Sequence, residues 1–394
     1  MISNKAYGYG SAKSAIRELA GYGAKRAKEI GPENVMNFTI GNPSVPAPKE
    51  VSDAIEDIIK NNSPNIYNSY TAANGREETR KAIADNLNKR YGTCYRPENF
   101  FLVCGAAAGL TSAISALLAE EDSEIMVLAP NFPEYKVFIE GNGGVMNWVS
   151  AADDMRFNYE AIQKQLNEKV QAVIVNSPNN PSGVIFSEEE MKKFCQILEE
   201  KEKEYGHPIY IITDEPYREL VLVDGVKVPW VPSLYDNTIV VYSWSKSLSL
   251  PGERIGYVLV PDAVADKNLM AAVAGAARSM GYVCAPALFQ MVIERCVDVK
   301  PNIEVYKRNR DILYENLTEM GYTVADPAGA FYLFIKAPDG NAEEFSKKAM
   351  AHDLLLVPGT SFGAPTHLRL SFCVDTEKIE KSIPIFKELM KEYQ

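Results

Sequence analysis

The 394-residue sequence is short of histidine, of paired cysteine and of long apolar runs. Its three histidines, His207, His352 and His367, show no metal-ligand spacing. Six cysteines, at 94, 104, 195, 284, 296 and 373, form no C-x-x-C pair and match no zinc pattern. No metal site is therefore expected. Cys104 and Cys373 sit in apolar runs, as small core residues do. No apolar stretch approaches the roughly 20 residues that span a bilayer. The N-terminus lacks the basic stretch and apolar core of a signal peptide. The expectation is a cytoplasmic protein without a membrane span, in a reducing compartment. A formal net charge of −11 argues against a broad nucleic-acid surface, though it leaves room for a cationic pocket. Repeats, low-complexity tracts and Gly/Ser linkers are also missing.

What remains is a globular composition, 46% hydrophobic and 24% charged, long enough for two domains. Residues 11–30 have a helical pattern interrupted by Gly21 and Gly23, with a stop at Gly31. A turn-rich connector, NFTIGNPSVPAP, follows, and GREETRKAIADNLNKRY is amphipathic. From there apolar strands alternate with helices: FLVC, IMVLA, VQAVIV, PIYIIT, TIVVYS and IGYVLV. Short all-apolar strands between helices predict an α/β unit with a mostly parallel sheet covered on both faces. After about residue 285 strong helices dominate, with one long helical stretch expected to kink near Pro301, and few strands remain. That texture predicts a smaller α+β domain joined by the N-terminal arm, so that it is discontinuous. The division expected is 51–290 for the large domain and 1–50 with 291–394 for the small one.

Ligands of open α/β sheets gather at the carboxyl ends of strands, so the segments that follow each strand carry the chemistry. FLVC runs into GAAAGL, where Gly105, Ala106 and Ala107 open a helix whose amides can hold an anion, or simply make a tight turn. IMVLA runs into PNFPEY, with Phe132 and Tyr135 as a ring platform or as core. VQAVIV runs into NSPNNPSG, which fixes Asn180 either as a ligand donor or as an Asn-Pro turn. PIYIIT runs into DEPY, where Asp214 is a carboxylate that needs a cationic partner, or a helix N-cap, and Tyr217 brings a phenol. TIVVYS runs into SWSKSLSLPGERIGY, which packs Ser243, Ser245, Lys246 and Arg254 together. Phosphate donors, a ring face, a fixed amide, a carboxylate and a lysine fit pyridoxal 5'-phosphate, with its phosphate, phenolic oxygen, ring nitrogen and aldehyde.

These same stretches resemble the class I/II, fold-type I pyridoxal-phosphate aminotransferases, the aspartate aminotransferases among them. SWSKSLSLPGERIGY is similar to the family's lysine signature, S-x-[SA]-K…G-x-R-x-G, and PNNPSG, DEPY and HLRLSF follow the family's order over nearly the whole chain. The resemblance implies a large domain with a seven-stranded, mostly parallel sheet and a smaller discontinuous domain. It implies that Lys246 is the Schiff-base lysine and proton shuttle. Asp214 would pair with the ring nitrogen, Asn180 and Tyr217 with the phenolic oxygen. Ser243, Ser245 and Arg254 would hold the phosphate with Gly105, Ala106 and Ala107, and Phe132 would stack on the ring. Tyr70 would reach the phosphate of the neighbouring subunit of a homodimer. Arg369 would fork onto the substrate α-carboxylate, near the Gly41 backbone. GAAAG lacks the hydroxyls many relatives place in the phosphate cup, IGNPS replaces a GEPDF-type loop, and Ser182 stands where threonine is usual.

The implied reaction moves the amino group of an L-amino acid to a 2-oxo acid, with aspartate and 2-oxoglutarate as the first pair. A second substrate carboxylate would need another cation, for which Arg278 is a candidate beside its reading as a surface arginine. One rival is a β-C–S lyase on the same scaffold. Another is a non-catalytic regulator, which would need an added DNA-binding region and sits badly with the acidic charge. A Rossmann dehydrogenase is disfavoured, because no G-x-G-x-x-G follows the first strand.

Overall fold

Twelve strands are defined in the computed structural model, which describes residues 1–12 and 14–393. They are β1 (Met36–Asn37), β2 (Phe100–Val103), β3 (Glu124–Leu128), β4 (Val145–Val149), β5 (Val170–Asn176) and β6 (Tyr210–Asp214). β7 (Thr238–Ser243), β8 (Gly256–Leu259), β9 (Tyr332–Lys336), β10 (Leu354–Leu355), β11 (Val357–Pro358) and β12 (His367–Ser371) complete the set. Seven of them form one sheet in the order β2-β8-β7-β6-β5-β3-β4. Every neighbouring pair is parallel except those made by β8, which runs antiparallel to both β2 and β7. The expected seven-stranded, mostly parallel sheet is therefore present.

The inner strands are apolar because both faces are covered. β6 and β7 are buried along their whole length. One face packs the helix Ala106–Leu117 through Ala113 and Ile114 onto Val127, Ile174 and Val241. The other packs Phe194 and Leu198 of the helix Glu188–Tyr205 against Val173 and Ile211. Burying each such Val, Ile or Leu is worth about 1.5–3 kcal/mol. Ser187 and Glu190 start the second helix with a reciprocal capping box, and Gly206 ends it in the left-handed region.

The C-terminal part has its own sheet, β11-β12-β9, and its own core around Phe331, Phe345, Phe372 and Phe386. β1 pairs with β10, so the N-terminal arm joins this part. The helical stretch after residue 285 is two helices, Ala287–Cys296 and Glu304–Glu319, separated around Pro301. The first of them runs across residue 290 and packs on the helices Lys49–Asn61 and Glu77–Tyr91. The N-terminal pattern likewise splits into Asn4–Ser11 and Ala15–Ile30, and the second helix runs through both Gly21 and Gly23. Among the described residues, no helix is long and apolar enough to cross a membrane.

Candidate active site

The carboxyl ends of β2, β5, β6 and β7 open on one cavity of about 320 Å³. Of the residues singled out in the sequence, Gly41, Ala106, Ala107, Phe132, Asn180, Asp214, Tyr217, Ser243, Ser245, Lys246, Arg254 and Arg369 all line it. Positions from 41 to 369 thus converge, because β6 and β7 lie side by side in the sheet while β12 reaches in from the C-terminal part.

Asp214 closes β6 and is followed by a turn, so it caps no helix. Its Oδ2 accepts a 2.6 Å hydrogen bond from Tyr135 Oη, while Oδ1 is buried with no partner among the described residues. Burial, with Glu215 adding to it, pushes the carboxyl up to about 7, against the pull of the Tyr135 bond. An unpaired buried carboxylate oxygen costs free energy that a cationic N–H placed there would recover. Tyr135 is fully buried, so it serves the core as well as Asp214.

Lys246 lies in the four-residue helical turn that follows β7. Its Nζ donates to the Gly41 carbonyl at 2.7 Å. Burial, aided by Arg369 and Arg254 and opposed by Cys373, lowers its ammonium to about 8. Tyr242 bonds Ser247 and thereby ties down one of the loop serines, while Ser243 Oγ donates to Ser245 Oγ at 3.1 Å.

The anion end of the cavity is built by Gly105. It has φ +81, and a Cβ there would meet the Arg254 guanidinium at 2.3 Å. Only glycine lets Arg254 lie against the start of the helix Ala106–Leu117, whose first turn has no side-chain cap. Arg254 is exposed, with Nη2 donating to the Cys104 carbonyl at 3.3 Å and Nη1 to Pro251 at 2.9 Å. Amides and a guanidinium at one helix start could hold a phosphate.

Arg369 is buried in β12. Nη1 donates to Asn180 Oδ1 at 3.0 Å and Nη2 to the Thr39 carbonyl at 2.6 Å. Among the described residues its buried Nε has no partner, which marks a donor in want of an anion. The guanidinium lies over the Tyr332 ring at 4.8 Å and over the Phe362 ring at 4.9 Å. The loop that carries Asn180 is fixed by Asn176, which accepts from the Asn180 amide and donates to the Asp214 carbonyl.

Two candidates lie elsewhere. Tyr70 is 87% exposed and outside the lining of this cavity, as is Arg278, exposed in the last turn of the helix Leu269–Ser279. Sequence reasoning did not anticipate Tyr332, Ile16 and Ile40, which also line it. For Tyr332 the signal was available: it follows Gly329–Phe331 at the head of an apolar strand. Among the described residues, no cluster of His, Cys, Asp and Glu could hold a metal ion.

The family model for aminotransferase class I and II matches residues 33–384. The chain belongs to that family. This aminotransferase also resembles a solved amino transferase of Eubacterium rectale at 49% identity, with a TM-score of 0.98 and full coverage of both chains. It is 30% identical to a probable aspartate/prephenate aminotransferase of Aquifex aeolicus, over 93% of this chain and 94% of that one. It is 28% identical to an aspartate aminotransferase of Thermotoga maritima, over 91% and 92%. The family to which this aminotransferase belongs uses pyridoxal phosphate, and an orphaned carboxylate oxygen, an orphaned guanidinium N–H and a glycine-shaped anion cradle in one cavity fit that group.

Proposed function

We propose that this enzyme holds pyridoxal 5'-phosphate through Lys246 and moves the amino group of an L-amino acid to a 2-oxo acid. The observation that carries the reading is the unpartnered Oδ1 of Asp214, buried in the cavity that also holds Lys246. When bound, the cofactor supplies an aldehyde that takes up the amino group and a ring that accepts the charge left by proton loss.

Each residue then has a task. Asp214 would pair with the ring nitrogen through Oδ1. Asn180 and Tyr217 would hold the ring oxygen, and Phe132 would hold the ring. Gly105, Ala106, Ala107, Ser243, Ser245 and Arg254 would hold the phosphate. Arg369 would fork onto the substrate carboxylate, near the Gly41 backbone, and so fix which α-bond the substrate presents. Lys246 Nζ would carry the α-proton as general acid and base, and the burial that lowers its ammonium to about 8 in the ligand-free protein favours the neutral amine for that work. Exposed Tyr70 suits a contact with the phosphate of a second subunit in a homodimer. The two-part division, 51–290 and 1–50 with 291–394, belongs to the same reading; the β1–β10 pairing supports the discontinuous small part, while the helices Lys49–Asn61 and Ala287–Cys296 run across both boundaries.

Aspartate with 2-oxoglutarate is the first pair, supported by the names of the Aquifex and Thermotoga relatives. Among the described residues the lining cations are Lys246, Arg254 and Arg369, each with a task, so the second carboxylate would be met by a cation from beyond this lining. The test is borohydride reduction of the protein loaded with pyridoxal phosphate, followed by peptide mass spectrometry, with a donor panel against 2-oxoglutarate. Label on Lys246 and a 2-oxo acid product are expected. Label elsewhere, or thiol release from a cysteine conjugate without transamination, would overturn the reading.

A further inference from the structure

Tyr332 is the first residue of β9 and was assigned no part in the sequence reading, yet it touches three residues that were. Its Oη lies 2.8 Å from Tyr217 Oη, and both side chains are buried. Its ring lies 4.8 Å under the Arg369 guanidinium. Its hydroxyl presses so closely on the Gly41 backbone that a Cβ there would meet it at 2.0 Å. That same glycine gives its carbonyl to Lys246.

We infer that Tyr332 is a positioning residue that ties the grip of Arg369 on the substrate carboxylate to the hydrogen bond Tyr217 gives the cofactor. The inference rests on the proposed function for where the cofactor lies.

The proton count supports it. Burial pushes Tyr217 well above the usual phenol range and Tyr332 up to about 12, so both stay protonated at neutral pH. Two hydroxyl protons are present, and among the described residues neither hydroxyl has another partner. One proton fills the bond between them, and the other is free to point away. If Tyr217 donates to the cofactor oxygen, Tyr332 must donate to Tyr217. A phenol that accepts a hydrogen bond is the better donor, because each bond polarises the next. Tyr332 thus strengthens the donation that keeps the ring oxygen anionic. Its ring meanwhile forms a wall against the Arg369 guanidinium, as the Phe362 ring also does. Ring contacts limit the rotation of a flat cation and so help keep the plane that bidentate recognition of a carboxylate requires. One side chain therefore serves both ligands through two different parts, the hydroxyl and the ring face.

Two substitutions separate these parts. Tyr332→Phe keeps the wall and removes the hydroxyl. In the loaded enzyme, the pH midpoint of the visible absorbance should rise by a few tenths of a unit, because the Tyr217 bond stays and only its strengthening, on the order of 10–30%, is lost. The KM for amino acid and oxo acid should stay within about twofold. Tyr332→Leu also removes the wall, and KM should then rise about tenfold. An unmoved midpoint in Tyr332→Phe overturns the inference, and so does an unchanged KM in a folded Tyr332→Leu. If Tyr332→Leu does not fold, Tyr332→Phe decides alone. Borohydride labelling of Lys246 in the unaltered enzyme is the control: its failure strikes the proposed function, whereas labelling with an unmoved midpoint strikes only the role of Tyr332.

Discussion

Tyr135 Oη donates a 2.6 Å hydrogen bond to Asp214 Oδ2, and the pair is wholly buried between the strand end and the helix Glu134–Gly141. The bond is the main influence holding the Asp214 carboxyl down against burial. Tyr135→Phe should therefore raise that carboxyl further, by about one unit. In the ligand-free protein, the carboxyl band of Asp214 read by infrared difference spectroscopy against Asp214→Asn should then titrate at higher pH than in the unaltered chain. An unmoved titration would mean that Tyr135 serves only packing.

The two buried titrating groups should leave opposite marks on the ligand-free protein. The Asp214 carboxyl is raised from 3.8 to about 7, so its contribution to stability is complete below pH 4 and lost as pH rises through 7. Lys246 is lowered from 10.5 to about 8, so its contribution is complete above 10.5 and lost as pH falls through 8. Asp214→Asn should stabilise the ligand-free protein more at pH 8.5 than at pH 5.5, by on the order of 2 kcal/mol. Lys246→Met should do the reverse, stabilising more at pH 6 than at pH 10. Thermal unfolding across pH checks both signs, and parallel slopes for the two variants would contradict the burial argument.

Arg369→Lys should raise KM for both substrates about tenfold or more, with a smaller change in kcat. An ammonium has no planar fork and cannot hold Asn180, the Thr39 carbonyl and a carboxylate at once. Steady-state kinetics with the preferred donor measures this. Unaltered KM would show that another residue takes the carboxylate.

Gly41→Ala should cost about 1–3 kcal/mol by overpacking. The added methyl would meet Tyr332 Oη at 2.0 Å and its Cζ at 2.8 Å. Tyr332→Phe in the same chain removes the nearer atom and should relieve part of the loss. A double-mutant cycle by chemical denaturation reads the coupling. Strict additivity would mean that the backbone near Gly41 simply moves aside.

The parallel sheet was legible because β5, β6 and β7 carry the apolar stretches AVIV, YII and IVVY, a pattern that burial on both faces explains. The site was legible because its side chains follow those runs directly. β4 and the helix Tyr159–Gln165 were not, since β4 is half exposed at the sheet edge and mixes Asn147 and Trp148 into its run. The reversed direction of β8 has no local mark either, as the loop that carries Lys246 and Arg254 permits either sense. Tyr332 escaped notice because an aromatic at a strand start has the pattern of core, and its burial satisfies that reading too. The pairing of its hydroxyl with Tyr217, 115 positions away, is a tertiary fact.

The hydrogen bond from Arg369 to the Thr39 carbonyl joins residues 330 positions apart. During synthesis Thr39, Asp214 and Lys246 all emerge before Arg369, the residue proposed to take the substrate carboxylate. A nascent chain can therefore carry every residue proposed to hold the cofactor while still lacking the one proposed to seat the amino acid, and any fragment cut short before residue 369 lacks that contact.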